Sequence, residues 1–302
     1  MINGILNIYK EKGYTSHDVV AKLRGMTKQK KIGHTGTLDP DAQGVLPVCL
    51  GKATKLCDML TDKSKTYEAV LLLGISTDTQ DISGRILAEK STEHLTEEMV
   101  RDCIQGYIGE YEQIPPMYSA LKFNGKKLYE LARAGIEVER KPRKVTIYEI
   151  HVEEINLPRV RITVSCSKGT YIRTLCHDIG AELGTGGCME SLLRTRVSRF
   201  ELKDSLKLDE VAERIAKGEL ETILIPVDVM FEDKKAVRIL PEWEPLVYNG
   251  NPFYRKSICN PESYADGEAV RVYDTEEHFV GIYRYHAEED AFHIEKMFLD
   301  RS

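Results

Sequence analysis

The sequence holds no apolar run of the length a membrane span requires. A run such as Ala69–Ile75 has seven residues, and a spanning helix needs about 20. Met1–Lys10 reads as a strand with Asn and Lys inside it. It lacks the charged start and apolar centre of a leader, so no secretory signal is expected. The seven cysteines (49, 57, 103, 166, 176, 188 and 259) are odd in number and form no C-x-x-C pair. A disulfide framework and a zinc knuckle are therefore not expected, and a reducing cytoplasm is the expected setting. His17, His34 and His177 have no metal-ligand spacing with another His or Cys, so no metal site is expected. Neither G-x-x-x-x-G-K-[ST] nor a G-x-G-x-x-G after a strand is present, and no nucleotide cofactor is implied. There is no internal repeat and no low-complexity tract.

What is there is an ordinary globular composition. At about 150 residues per domain, 302 residues suggest two domains. The 42% apolar and 30% charged shares exclude a disordered chain, collagen and a coiled-coil rod. The net charge of −6 hides an asymmetry. Residues 1–200 carry 29 Lys and Arg against 25 Asp and Glu (+4), and residues 201–302 carry 13 against 23 (−10). Segment 1–56 has nine basic and four acidic side chains, and segment 113–145 has eight and three. Such stretches attract phosphate backbones. The plainer reading is scattered solvated lysine, and charge alone favours it.

Periodicity places the elements. Gly4–Lys10 reads as a strand. Val19, Val20 and Leu23 then follow Thr15-Ser16 at helical spacing, with Thr15 or Ser16 as cap, Asp18 in the first turn and Gly25 at the end. Residues 32–51, with four glycines and two prolines, read as irregular. Tyr67–Ile75 and Val145–Ile155 read as strands, and Thr77–Gly84 as a turn. Helices are expected at Leu95–Ile108, Leu128–Ala134 and Leu208–Ala216. Val160, Ile162, Val164 and Cys166 alternate with polar residues, a half-buried strand. Ile172, Leu175, Ile179 and Leu183 then repeat at three and four, an amphipathic helix closed by Gly184. Lys168–Arg173 thus lies on a strand-to-helix turn, where flanking elements hold side chains rigidly. After about residue 235, Val270–Tyr273, Phe279–Tyr285 and Phe292–Phe298 read as strands of a small β unit.

Three residues are candidates for chemistry. Asp39 precedes Pro40 among glycines that allow close approach to a ligand, so its carboxylate could serve as nucleophile or base. The local pattern alone favours a turn-capping Asp. Arg173 could pair with a carboxylate and lower its pKa, or could face phosphate or solvent. Tyr67 could stack on a base from its strand end or pack in the core, with periodicity indifferent between the two.

Gly33–Thr54 (GHTGTLDPDAQGVLPVCLGKAT) closely resembles the signature of the TruB family of tRNA pseudouridine synthases. TSHDVV (15–20), KTY (65–67), TDTQDISG (77–84), QIPPMYSALK (113–122), YELARAG (129–135), GTYIRT (169–174) and LLRTR (192–196) also resemble it, in family order. The resemblance covers about residues 1–230, and the set is far more specific than one pattern. One departure is that Glu11 stands where the family usually has the Pro of K-P-x-G, which should loosen that turn.

The resemblance implies an α+β pseudouridine synthase fold with a mixed, largely antiparallel sheet. It implies a catalytic domain at 1–235 with a thumb insertion at about 113–143, and a small β-rich, PUA-like RNA-binding domain at 236–302. The implied activity isomerises uridine to pseudouridine at position 55 in the T-loop of tRNA, without a cofactor. Asp39 matches the catalytic aspartate, Arg173 its arginine partner and Tyr67 the tyrosine that stacks on the base. Tyr171 and Leu192 match pocket residues, His34 the histidine that enters the T-loop, and Asp81 a polar residue near the site. The partner is the tRNA T stem-loop. No membrane or protein partner is implied, and a monomer is expected.

Breaking the C–N glycosidic bond leaves an electron-poor sugar carbon, as in glycoside hydrolysis, and a carboxylate there can attack or stabilise it. A covalent intermediate and elimination to a glycal both remain open. Three rivals remain. A tRNA-binding or folding protein would not need Asp39. A guide-RNA-dependent relative shares the Asp segment but lacks the GVLPVCLGKAT continuation. A glycoside hydrolase typically needs two carboxylates.

Overall fold

The computed structural model describes residues 1–61, 63–259 and 261–299. The last three residues of the expected 236–302 unit therefore lie outside the described residues. The chain begins with strand β1 (Gly4–Lys10) and helix α1 (Ser16–Thr27), then β2 (Ile32–His34) and β3 (Gln43–Leu50). A 3-10 turn at Gly51–Leu56 leads into α2 (Cys57–Thr61) and β4 (Lys65–Leu73). The hairpin β5 (Ile75–Thr77) and β6 (Ile86–Glu89), helix α3 (Glu97–Gln105) and β7 (Gly109–Gln113) follow. The small hairpin β8 (Lys122–Phe123) and β9 (Lys126–Lys127) precedes α4 (Leu128–Arg133). Then come β10 (Arg143–Asn156), β11 (Arg159–Cys166), α5 (Ile172–Glu182), β12 (Gly187–Val197) and β13 (Phe200–Glu201). Helices α6 (Leu208–Ala216) and α7 (Leu220–Ile223) lead to β14 (Ala236–Arg238), α8 (Glu244–Tyr248) and β15 (Phe253–Tyr254). The described chain closes with β16 (Ala269–Tyr273), β17 (Phe279–His286) and β18 (Ala291–Met297).

Among the described residues the main sheet runs β1-β3-β12-β4-β11-β10-β7, with β2 and β13 at its side. It is mixed: β12 runs parallel to β3, and every other pairing is antiparallel. A second sheet, β14-β16-β17-β18-β15, makes a β-rich C-terminal part. The two share a core, because Ile282 and Phe298 pack with Val45, Val197 and Phe231.

Two sequence expectations are corrected. Residues 32–51 are irregular only at 35–42, between β2 and β3. Strand β3 gives no alternating signal because both its faces are covered. Val45 and Cys49 enter one apolar cluster, and Leu46, Val48 and Leu50 enter another. Each fully buried aliphatic side chain there contributes about 1.5–3 kcal/mol. Helix α1 also runs past Gly25 to Thr27, and Lys28 caps it in the left-handed region (φ 54°). The start of α1 is as expected. Thr15 Oγ1 accepts the Asp18 N–H, and Asp18 accepts the Thr15 N–H, a capping box. The alternation in β11 and the three-and-four repeat in α5 fold as the sequence indicates, bringing the turn before Arg173 to one end of the sheet.

Candidate active site

Asp39 lies on the loop between β2 and β3, and that loop is anchored from three directions. The Leu38 N–H donates to Ser16 Oγ at the start of α1 (2.9 Å). The Pro40 carbonyl accepts from the Gly13 N–H (2.9 Å) and from Lys10 Nζ (3.1 Å). The Ala42 N–H donates back to the Asp39 carbonyl (3.1 Å). Leu38 and Ala42 are buried on either side, in the same cluster as Tyr67. Lys10 Nζ also donates to the carbonyls of Tyr14 (2.6 Å) and Glu11 (3.2 Å). The turn is therefore tied down even though Glu11 replaces the usual proline.

Arg173 is the second residue of α5, and its side chain is only 7% exposed. Its Nη2 donates to Asp39 Oδ1 (3.2 Å) and to the Tyr118 carbonyl (2.7 Å). Its Nη1 stands 3.7 Å from Asp81 Oδ2. Asp81 is itself held on the turn after β5, where its Oδ1 accepts from Thr79 Oγ1, the Ser83 N–H and Ser83 Oγ. One buried guanidinium is thus shared by two carboxylates that approach from different loops. Burial raises the pKa of Asp39. Arg173 opposes that rise, Asp81 reinforces it and Lys10 eases it. The Asp39 side chain is still 38% exposed, so the carboxylate is reachable from solvent and not sealed in the core.

Tyr67 stands on β4 between Val164 of β11 and Arg194 of β12. It is 7% exposed, and burial pushes its phenol up to about 12. Arg194 is fully buried. Its guanidinium bonds the Tyr67 hydroxyl and donates through Nε to the Val45 carbonyl (2.7 Å). The backbones of β3 and β12 meet tightly here. Gly44 (φ +105°) has room for no Cβ, which would fall 2.2 Å from the Arg194 carbonyl oxygen.

Tyr171 caps α5, and its backbone is clamped by the Gln113 side chain at both N–H (2.7 Å) and C=O (3.0 Å). Burial raises its phenol pKa. Leu192 packs from β12 against the cluster that contains Tyr67. His34 ends β2, where its Nδ1 accepts from the Gly36 N–H (3.3 Å) and its ring meets His17 edge-on. Burial, then His17 and Arg194, lower its pKa below the usual 6.5, so it is neutral at physiological pH. Asp39, Arg173 and Asp81 are therefore joined directly. Tyr67 and Leu192 share the apolar cluster beside them, and His34 lies further along the Asp39 loop.

Two residues of the site went unread in the sequence, Lys10 and Arg194. Arg194 follows Leu192 by two, and on a strand that spacing puts both on one face. Segment 113–143 reaches back to the site through Gln113 and through the Tyr118 carbonyl. Among the described residues no group of three or more His, Cys, Asp or Glu is placed to hold a metal ion. No helix among them is long and apolar enough to cross a membrane.

The model of the TruB family pseudouridylate synthase N-terminal domain matches residues 24–172. That of the tRNA pseudouridylate synthase B C-terminal domain matches residues 173–232. The tRNA pseudouridine synthase B of Lachnoclostridium phytofermentans is 52% identical, with 99% of this chain and all of that protein covered. That of Alkaliphilus oremlandii is 48% identical, with 93% and 92% covered. Among solved structures, a chain of an H/ACA RNP bound to a substrate RNA containing 2′-deoxyuridine aligns with TM-score 0.71 at 25% identity. The alignment covers 99% of this chain and 86% of that one. A chain of a Cbf5-Nop10-Gar1 complex aligns with TM-score 0.71 at 27% identity, covering 99% and 85%.

Proposed function

The chain belongs to the TruB family of pseudouridylate synthases and isomerises uridine to pseudouridine in tRNA, and we propose that its target is uridine 55 of the T-loop, with Asp39 as the essential carboxylate. The observation that carries this reading is the bond from the buried Arg173 to Asp39, across 134 residues of sequence. It aims one carboxylate oxygen and leaves the other for a substrate carbon.

The reaction needs a negative group beside C1′ as the glycosidic bond breaks and positive charge develops there. Asp39 supplies it, whether by bonding to the sugar or by supporting elimination to a glycal. No atom is added or lost, because the uracil turns and rejoins through C5. Water must stay out while the base is detached, or hydrolysis would release it. Segment 113–143 is the element that closes over the RNA, and its cations hold phosphates. Residues 1–235 form the synthase domain, and 236–302 a PUA-like RNA-binding domain.

Reaching C1′ requires the uridine to leave its stack, at a cost of a few kcal/mol. Stacking on Tyr67 returns about 1–3 kcal/mol of that. Tyr171 and Leu192 line the base pocket, and His34 fills the space that the flipped nucleotide leaves. Asp81 acts through Arg173, holding its second nitrogen.

The test is to treat an unmodified tRNA transcript with the enzyme and map pseudouridine by carbodiimide adducts and primer extension. A single new stop, at the adduct on position 55, is expected. Stops elsewhere, or none, would contradict the assignment.

A further inference from the structure

The uridine site uses none of the seven cysteines, and the fold brings two of them together beneath β2. Strand β3 ends at Leu50, and Gly51, in the left-handed region (φ +60°), turns the chain into the 3-10 turn that carries Cys57 back toward Cys49. Gly33 of β2 pairs with Cys49 of β3. Residues opposed in this way hold their Cβ positions about 4.5–5.5 Å apart on one face of the sheet. Gly33 has no side chain, and a Cβ there would lie 3.2 Å from Cys57 Sγ. The Cys57 sulfur therefore fills the slot that Gly33 leaves open, alongside the Cys49 side chain, and the two thiols are hydrogen-bonded. Cys49 is fully buried and Cys57 half-buried, so a small reagent reaches the pair through Cys57. The bond from Cys49 is the largest influence on the Cys57 thiol and lowers its pKa, which favours the thiolate, the reactive form. A partly exposed, acidified thiol with a second thiol beside it is the arrangement of an oxidant-sensitive pair.

We propose that Cys57, with Cys49 as its resolving partner, is a modification site for hydroperoxides, and that its closure to a disulfide slows the isomerisation through β2. In the first step the Cys57 sulfur attacks one oxygen of the hydroperoxide. The O–O bond breaks, the alcohol (water, for hydrogen peroxide) leaves with the thiol proton, and Cys57 becomes a sulfenic acid. The Cys49 sulfur then attacks the Cys57 sulfur, the S–O bond breaks, and the hydroxyl leaves as water with the Cys49 proton. Two thiols lose two electrons and the hydroperoxide gains them. Bonded sulfurs stand about 2.05 Å apart, so closure draws Cys57 out of the slot under Gly33. Gly33 is followed directly by His34 and the loop that carries Asp39, so β2 loses packing where it seats that loop. The slowing rests on the tRNA reading above, whereas the thiol chemistry does not.

The test treats the reduced, full-length protein with hydrogen peroxide and maps its peptides by mass. Trypsin cuts at Lys52 and Lys55, between the two cysteines, so the bridge shows as a linked pair of peptides lighter by two hydrogens. The link should form before Cys259, the exposed cysteine, is oxidised. In Cys49→Ala the Cys57 sulfenic acid should persist and be captured by dimedone. Turnover on tRNA should fall about tenfold on closure and return with dithiothreitol, since a shift of about 1 Å near a reacting group is enough for such a loss. Cys57→Ser should keep the basal rate and hold it through the same peroxide treatment. The wild-type peptide map decides the chemistry whether or not a variant folds. No linked pair, or oxidation of Cys259 ahead of Cys57, would overturn the inference, and so would a closed disulfide with unchanged turnover. A reduced protein that makes no pseudouridine yet forms the link sinks the functional reading and leaves the modification site standing.

Discussion

Arg173 stands between two carboxylates, with Nη2 3.2 Å from Asp39 and Nη1 3.7 Å from Asp81. The three residues come from three separate segments, so the pair at the centre of the site is positioned by tertiary structure alone. Arg173 favours the ionised form of Asp39 in a place where burial works against its charge.

The pH dependence of turnover follows from that balance. On the proposed role Asp39 must be ionised to act, and its folded pKa is raised, chiefly by burial. The acid limb of the single-turnover rate should therefore lie above the range of an ordinary carboxylate. Asp81 pushes the Asp39 pKa up, so Asp81→Asn should move the limb to lower pH. Arg173 pulls it down, so in Arg173→Gln the Asp39 carboxyl should titrate at higher pH, read by carbon NMR of the labelled side chain. Shifts of the opposite sign would show that the two neighbours do not control this group.

Lys10 gives a separate pH signature. Its folded pKa is lowered from 10.5 to about 8, with burial the largest cause. Below pH 8 the lysine is charged in both states, and the burial cost is fully present. Between pH 8 and 10.5 the unfolded chain binds more protons than the folded one, so this group adds stability as pH rises. The stability of wild type relative to Lys10→Met should grow between pH 7.5 and 9.5 in urea titrations. Lys10→Met should also slow turnover, since next to Asp39 the Tyr14 carbonyl loses the lysine donor and the Pro40 carbonyl keeps only the Gly13 N–H. A stability difference that is flat with pH would contradict the assignment.

Gly44 is a test of packing. Alanine there would need a positive φ and would collide with the Arg194 carbonyl, so the β3–β12 junction must open. Gly44→Ala should cost about 3 kcal/mol or more, read as a lowered denaturation midpoint. A loss under about 1 kcal/mol would mean that the two strands can separate without consequence.

The elements that carry one exposed face were legible in the sequence. Strand β11 alternates, α5 repeats at three and four, and together they place Arg173 correctly at the end of the sheet. Strand β3 was illegible because apolar clusters cover both its faces, and Gly44 and Pro47 looked like turn residues. Lys10 and Arg194 were passed over for a related reason. A charged residue in a strand reads as a solvent-facing one, yet both are fully buried and satisfied by backbone carbonyls. The meeting of Asp39 with Arg173 has no local signal, since it depends on the strand order that sets β12 between β3 and β4. The local pattern made Asp39 a candidate but favoured a turn-capping Asp, and only the resemblance to a known signature tipped the reading toward chemistry.

The central claim is that Asp39 drives uridine isomerisation. The most direct measurement is tritium release from a tRNA transcript carrying 5-tritiated uridine, with wild type and Asp39→Asn side by side. Joining the sugar to C5 expels the hydrogen there. One label per tRNA should be released by wild type and none by Asp39→Asn, while the variant still binds tRNA. Turnover by Asp39→Asn, or tight tRNA binding by wild type without any release, would contradict the account; the second result would point to an RNA-binding or folding role.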